Sequence, residues 1–141
     1  MKQFFKDYSI VICLVIALAG FLGSLYFSEI LHLIPCVFCW YQRILLYPLV
    51  PIFAVGVATK DRGVWRYALP LAIISVGVGI YQLLLVYGVI AAANSCTVGI
   101  SCAAITWSLF GFITIPLLAL LEAITILILL LIYRNSYAER I

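Results

Sequence analysis

Charge is what this chain has least of. Its 141 residues include 8 Lys+Arg and 5 Asp+Glu, 9% of the total, with one His and one Met. Soluble domains carry about a quarter charged and about half apolar residues, whereas here 67% are hydrophobic and the mean hydropathy is +1.29. The shortage excludes an ordinary soluble domain. A net charge of +3 is also too small and too scattered for a nucleic-acid-binding surface. No linker, low-complexity tract or internal repeat divides the chain. With about 20 residues needed per bilayer crossing, there is room for about four to six spans and none for a soluble domain.

Four apolar runs are present, at about residues 10–27, 40–58, 67–89 and 110–133. Each has ~18 to 24 residues, enough at ~1.5 Å rise per residue to cross the hydrocarbon layer. In lipid such runs must be helices, because open strands would leave backbone groups unpaired. The expected fold class is an all-α integral membrane protein, one four-transmembrane-helix bundle over residues 1–141 with connections at 28–35, 59–66 and 91–109. Lys2 and Lys6 ahead of the first run, with Ala17-Leu18-Ala19 inside it, resemble a cleavable signal. The apolar run continues to Phe27 without a strong polar break and is read as a retained helix.

Basic residues set the expected orientation. Lys2, Lys6, Lys60, Arg62, Arg66, Arg134 and Arg140 all fall on one side of a four-span chain, which marks that side as cytoplasmic. Both termini are then cytoplasmic, and segments 28–35 and 91–109 face out. Trp40, Tyr41 and Trp107 lie near the outer interface, Trp65 and Tyr133 near the other. Gly20 with Ser24, and Ser75 with Gly79, are spaced four apart and allow close helix approach. Pro48, Pro51, Pro70 and Pro116 each remove a helix donor. They either shape the helices alone or, in the second run, open a pocket beside it.

The chemistry lies in the cysteines. Cys36 and Cys39 form a C-x-x-C at the outer mouth of the second run, Cys96 and Cys102 lie in the second outer segment, and Cys13 reads as a small buried hydrophobe. Orientation from Lys and Arg alone therefore puts two cysteine pairs on the oxidising face. Two static disulfides are one reading, although a bridge within C-x-x-C closes too short a loop to stabilise much. A four-cysteine zinc site is another, without a soluble zinc module around it. Thiol–disulfide exchange is the third, and it suits two pairs within reach of each other.

Local physics favours exchange. Pro35 precedes Cys36 where the second helix begins, so free N–H groups and the positive helix terminus favour thiolates at Cys36 and especially Cys39. Cys36, Cys39, Arg43 and Tyr47 advance by three, four and four residues, which is one helical stripe. Arg43 is the one basic residue on the outer side, and it reads as a partner of that chemistry or as an interfacial anchor.

The run Pro35-Cys36-Val37-Phe38-Cys39-Trp40-Tyr41-Gln42-Arg43-Ile44-Leu45-Leu46-Tyr47-Pro48-Leu49 resembles the second-helix signature of DsbB-type thiol:quinone oxidoreductases, particularly the short BdbC-type members of Gram-positive bacteria. Tyr26-Phe27-Ser28-Glu29 and Phe110-Gly111-Phe112-Ile113-Thr114-Ile115-Pro116 resemble the same family. The resemblance implies a multi-pass enzyme of the bacterial cell membrane. It would reoxidise an extracytoplasmic thioredoxin-fold thiol oxidase (DsbA/BdbD-like) and pass the electrons to menaquinone or ubiquinone, with no metal. Carried over by position, Cys96 is the sulfur attacked by the partner, Cys102 relays to Cys36, Cys39 faces the quinone, and Arg43 helps hold a ring oxygen. Longer members space the loop pair further apart, so the order of the relay stays open.

Three further residues are weighed. Glu122 lies mid-way along the fourth run, where a charged carboxylate is costly, and reads as a bundle contact or part of a proton path. Glu29 and His32, near Cys36, read as proton carriers or surface groups. A vitamin-K-epoxide-reductase-like enzyme is the alternative catalytic reading, although its C-x-x-C usually comes late in the chain. A non-catalytic tetraspan subunit with structural disulfides is the other alternative.

Overall fold

A computed structural model describes the backbone of residues 2–89, 108–109 and 113–138 and the side chains of 8–89 and 113–136. The architecture is helical apart from one short strand pair. Helix α1 (Lys2–Leu25) runs into a π turn (Tyr26–Ile30), followed by α2 (Val37–Leu46), α3 (Leu49–Thr59), α4 (Trp65–Val86), strands β1 (Ser108–Leu109) and β2 (Ile113–Thr114), and α5 (Ile115–Ala138). Among the described residues, four helical segments are long and apolar enough to cross a membrane: Tyr8–Ile30, Val37–Thr59, Trp65–Val86 and Ile115–Ser136.

The second segment is two helices, and its prolines explain why. Pro48 has no N–H for the carbonyl of Ile44, and Pro51 has none for that of Tyr47. The Tyr47 carbonyl accepts the Val50 N–H at 3.2 Å instead, a shorter loop that interrupts the ladder between α2 and α3. Lys60, at φ 53°, ends α3, and the Asp61 N–H returns to the Gly56 carbonyl at 3.0 Å. The Asp61 carboxylate then accepts the Gly63 N–H at 2.7 Å, a side-chain-closed turn that leads into α4.

Several helix ends differ from the sequence expectation. α1 starts at Lys2 rather than near residue 10, since a helix need not stop where its apolar face does. Its π turn carries it to Ile30, three residues into the expected loop, with the Leu31 N–H on the Tyr26 carbonyl at 3.2 Å. α4 ends at Val86, because Gly88 adopts φ 70° and Val89 donates back to Leu84 at 3.0 Å. The fourth span starts at Ile115 rather than 110, with β2 pairing antiparallel to β1, Ser108 with Thr114 and Leu109 with Ile113. A helix extended back to 110 would set Pro116 in its interior, against the carbonyl four residues earlier; in the first turn Pro116 costs no bond.

α4 packs most extensively on α5, while α1 contacts both α5 and α3, and α2 lies against α4. Cys13, Leu49, Phe53, Ala68, Ala72, Ala123, Ile126 and Leu130 are fully enclosed and form one apolar core. These residues come from the first part of α1, from α3, from the first part of α4 and from the later part of α5. The other ends of α1, α4 and α5, with α2, enclose Cys36 and Cys39.

Candidate functional site

Cys36 is the N-cap of α2, with extended backbone at φ −72° and ψ 170°, and Cys39 sits in the first turn. This geometry turns both side chains to one side of the helix start, and their sulfurs lie 3.1 Å apart as free thiols. The amide of Gln82 on α4, itself buried, reaches both sulfurs, its Nε2 donating to Cys36 Sγ at 3.4 Å and to Cys39 Sγ at 3.3 Å. The hydrogen bond to Cys39, and then burial, hold the Cys36 thiol well above its ordinary range. Cys36 therefore keeps its proton, against the expectation of a thiolate there.

Arg43, one helical turn beyond Cys39, is fixed by α1. Its Nε donates to Ser24 Oγ at 3.0 Å and its Nη2 to the Ser24 carbonyl at 3.1 Å, while the Tyr47 hydroxyl donates to the same Oγ at 3.2 Å. The guanidinium also lies over the Trp40 ring, 5.4 Å from its centroid. Ser24 thus belongs to the site, beyond the packing role its small size suggests. On the neighbouring face Ser75 Oγ donates to Gln42 Oε1 at 2.7 Å, and Gly79 leaves the room that Gln42 Nε2 occupies.

These groups line one cavity of about 420 Å³ between α1, α2, α4 and the start of α5, which holds Cys36, Cys39, Arg43, Tyr47, Gln82 and Glu122 in its walls. Among the described residues, five side chains bury a polar atom with no hydrogen-bond partner in the protein: Gln42, Trp65, Gln82, Thr114 and Glu122. All but Trp65 line this cavity. Unpaired donors and acceptors on a largely apolar wall suit a flat apolar ring with polar oxygens on its edge, and the size is that of a small-molecule site. A quinone head group fits that description.

Of the residues singled out from sequence, Cys36, Cys39 and Arg43 are brought together. Cys96 and Cys102 lie outside the described residues. Glu29 and His32 are exposed and are not among the cavity's lining residues. Cys13 is enclosed in the apolar core. Gln82 and Gln42 were missed; the available signal was an uncharged amide within an apolar run, which in a membrane needs a partner.

Comparison with known proteins gives the family of the chain. Residues 6–133 match the profile of DsbB, described as disulfide bond formation protein DsbB. The chain is 44% identical over 127 residues to "Disulfide bond formation protein C" of Bacillus subtilis, covering 89% of this chain and 91% of that one. It is 40% identical over 130 residues to "Probable disulfide formation protein C 2" of Bacillus cereus, covering 92% and 94%. A "Probable disulfide formation protein" of Deinococcus radiodurans is 40% identical over 134 residues, covering 89% and 88%. No solved structure matches. A chain matched over almost its whole length, with a C-x-x-C-x-x-x-R stripe on the wall of a buried cavity, belongs to the DsbB family of disulfide bond formation proteins.

Proposed function

We propose that the protein is a membrane thiol:quinone oxidoreductase that reoxidises an extracytoplasmic thioredoxin-fold thiol oxidase, with the cysteine end of the bundle facing out of the bacterial cell membrane. The observation that carries the reading is the cavity that Cys36, Cys39 and Arg43 share with four side chains that each bury one unpartnered polar atom. Two electrons and two protons enter from the partner's dithiol. Cys96 and Cys102 receive them by disulfide exchange, and the pair passes them to Cys36 and Cys39. Closing the Cys36–Cys39 bond breaks two S–H bonds and releases two electrons and two protons; a quinone held beside Cys39 and Arg43 would supply a two-electron acceptor soluble in the bilayer. Gln82 donates to both sulfurs and steadies the charge on the reacting one. Arg43, held by Ser24, sets a fixed cation beside Cys39 where a ring oxygen gains electron density.

The test is oxidation of a reduced thioredoxin-fold protein by the purified chain in lipid, with and without a quinone. Quinone-dependent turnover is expected, and oxidation that proceeds equally without quinone would refute the reading. Orientation has its own check. A membrane-impermeant thiol reagent on intact, reduced cells is expected to label the outer cysteines, and labelling only after permeabilisation would reverse the topology.

A further inference from the structure

The reaction as drawn leaves one wall of the cavity without a task. Glu122 of α5 lines the same space as Cys39 and Arg43, and its Oε1 is buried with no hydrogen-bond partner in the protein. α1 makes room for it. A Cβ at Gly20 would run into the Glu122 carboxyl, so the glycine is what lets α1 and α5 close around that group. Gly20 precedes Ser24 by four residues, just over one helical turn or about 6 Å along the axis. Ser24 is the residue that holds Arg43. α1 approaches the cysteine end at its C-terminal side, so the cavity reads in order: the two thiols, then Arg43, then Glu122 one turn further in.

That order suits a para-quinone, whose two carbonyl oxygens sit on opposite edges of the ring. Cys39 and Arg43 serve the near edge. Resting on the quinone reading above, we propose that the Glu122 carboxyl is the second polar anchor of the ring, hydrogen-bonding the carbonyl oxygen remote from Cys39. A carboxylic acid donates its O–H to such an oxygen, whereas an apolar residue would leave the oxygen buried and unpaired. An interhelical contact alone would have paired the carboxyl oxygen with a neighbouring helix, and Oε1 has no such partner.

The test uses the full chain in lipid nanodiscs and a short-tailed ubiquinone, with quenching of tryptophan fluorescence as the binding readout and steady-state oxidation as the second. Glu122→Leu keeps the bulk and removes the donor; it is expected to weaken quinone binding about tenfold. Glu122→Gln keeps a donor in the same shape and is expected to stay much closer to the wild type. Gly20→Ala leaves the carboxyl in place chemically but pushes it aside, so it is expected to weaken binding as well and serves if Glu122→Leu does not fold. Wild-type affinity in Glu122→Leu, or equal losses in the Leu and Gln variants, would overturn the proposal. A wild-type protein that shows no quinone binding would refute the quinone reading itself, which is a different result.

Discussion

The two halves of the bundle are built from the same helices on opposite rules. Toward Lys60 and Val64 the interior is apolar and closed: Phe53, Leu49, Ile126 and Leu130 are fully enclosed, with Ala68, Ala72 and Ala123 letting the backbones approach. Trp65 caps that end between the guanidinium groups of Arg66 and Arg134, at 5.6 and 5.5 Å from its ring centroid. Toward Cys36 the interior is hollow, and its walls carry unpaired polar atoms of Gln42, Gln82, Thr114 and Glu122. α5 shows the change along one helix, with Glu122 in the cavity and its neighbour Ala123 in the closed core. Lipid gives no hydrophobic reward for burying apolar side chains, so stability must come from close packing, and the closed half supplies it. The open half leaves polar groups unsatisfied, a cost that is recovered when a ligand pairs them.

If the division is real, changes in the two halves separate cleanly, and the largest effect belongs to the open half. Cys39→Ser is expected to abolish quinone-linked turnover while leaving the thermal midpoint of the protein in detergent near that of the wild type, since the serine keeps the size of a half-buried side chain. Steady-state oxidation and a melting curve on the same sample decide this. A variant that melts early as well would show that the site also holds the fold together.

Arg43 comes next. Its hydrogen bonds to Ser24 fix the fork, and a charged hydrogen bond to a ring oxygen contributes about 1.5–3 kcal/mol, or roughly a 10- to 150-fold change in affinity. Arg43→Ala is expected to raise the apparent quinone KM within that range, and Arg43→Lys less, because the charge survives but the planar fork does not. Single-turnover disulfide exchange with the partner is expected to persist in both. Unchanged quinone dependence in Arg43→Ala would reduce the residue to an anchor over Trp40, and equal loss of both steps would mean a folding defect.

The converse experiment is in the closed half. Phe53→Ala opens a void in the apolar core that Phe53 shares with Leu49 and Ile126, and because only the packing part of the usual cost applies in lipid, the expected loss is roughly 2 kcal/mol. Chemical or thermal unfolding in detergent reads it, while the apparent quinone KM of the folded fraction stays unchanged. A shifted KM would tie the two halves together.

Much of the open half is legible in the sequence, for a geometric reason. Cys36, Cys39, Arg43 and Tyr47 share a face because the spacing of a single helix fixes it, and Pro48 marks where that helix breaks. What could not be read is the phase of one helix against another. Glu122 is visible as a carboxyl in mid-span, but its place on the same cavity as Cys39 depends on how α5 is rotated against α1 and α2. Ser24 and Gly20 announce close packing and say nothing of Arg43 or Glu122 as their neighbours. The β1–β2 pairing ahead of α5 was hidden too, since Ile113 and Thr114 continue an apolar run without a break.

Gln82 gives the smallest and most specific test. Its amide lies near enough to donate to both sulfurs, and its carboxamide oxygen has no partner, so replacing it removes a donor at the thiols without breaking another side-chain hydrogen bond of Gln82. A neutral hydrogen bond contributes about 1 kcal/mol net, which corresponds to roughly a fivefold change in an equilibrium constant. The donor favours the reduced pair most, where one sulfur carries charge in exchange, whereas a closed disulfide is a poor acceptor. Gln82→Leu is therefore expected to move the Cys36–Cys39 dithiol–disulfide equilibrium about fivefold toward the disulfide in a glutathione buffer. Alkylation of the remaining thiols at each buffer ratio measures it, in a chain whose other three cysteines are Ser. Since Gln82 lies at the same depth as the thiols and away from the closed core, the melting midpoint is expected to move little. An unshifted equilibrium would make the amide a wall of the cavity, and a fall in stability as large as that of Phe53→Ala would place Gln82 with the packing half.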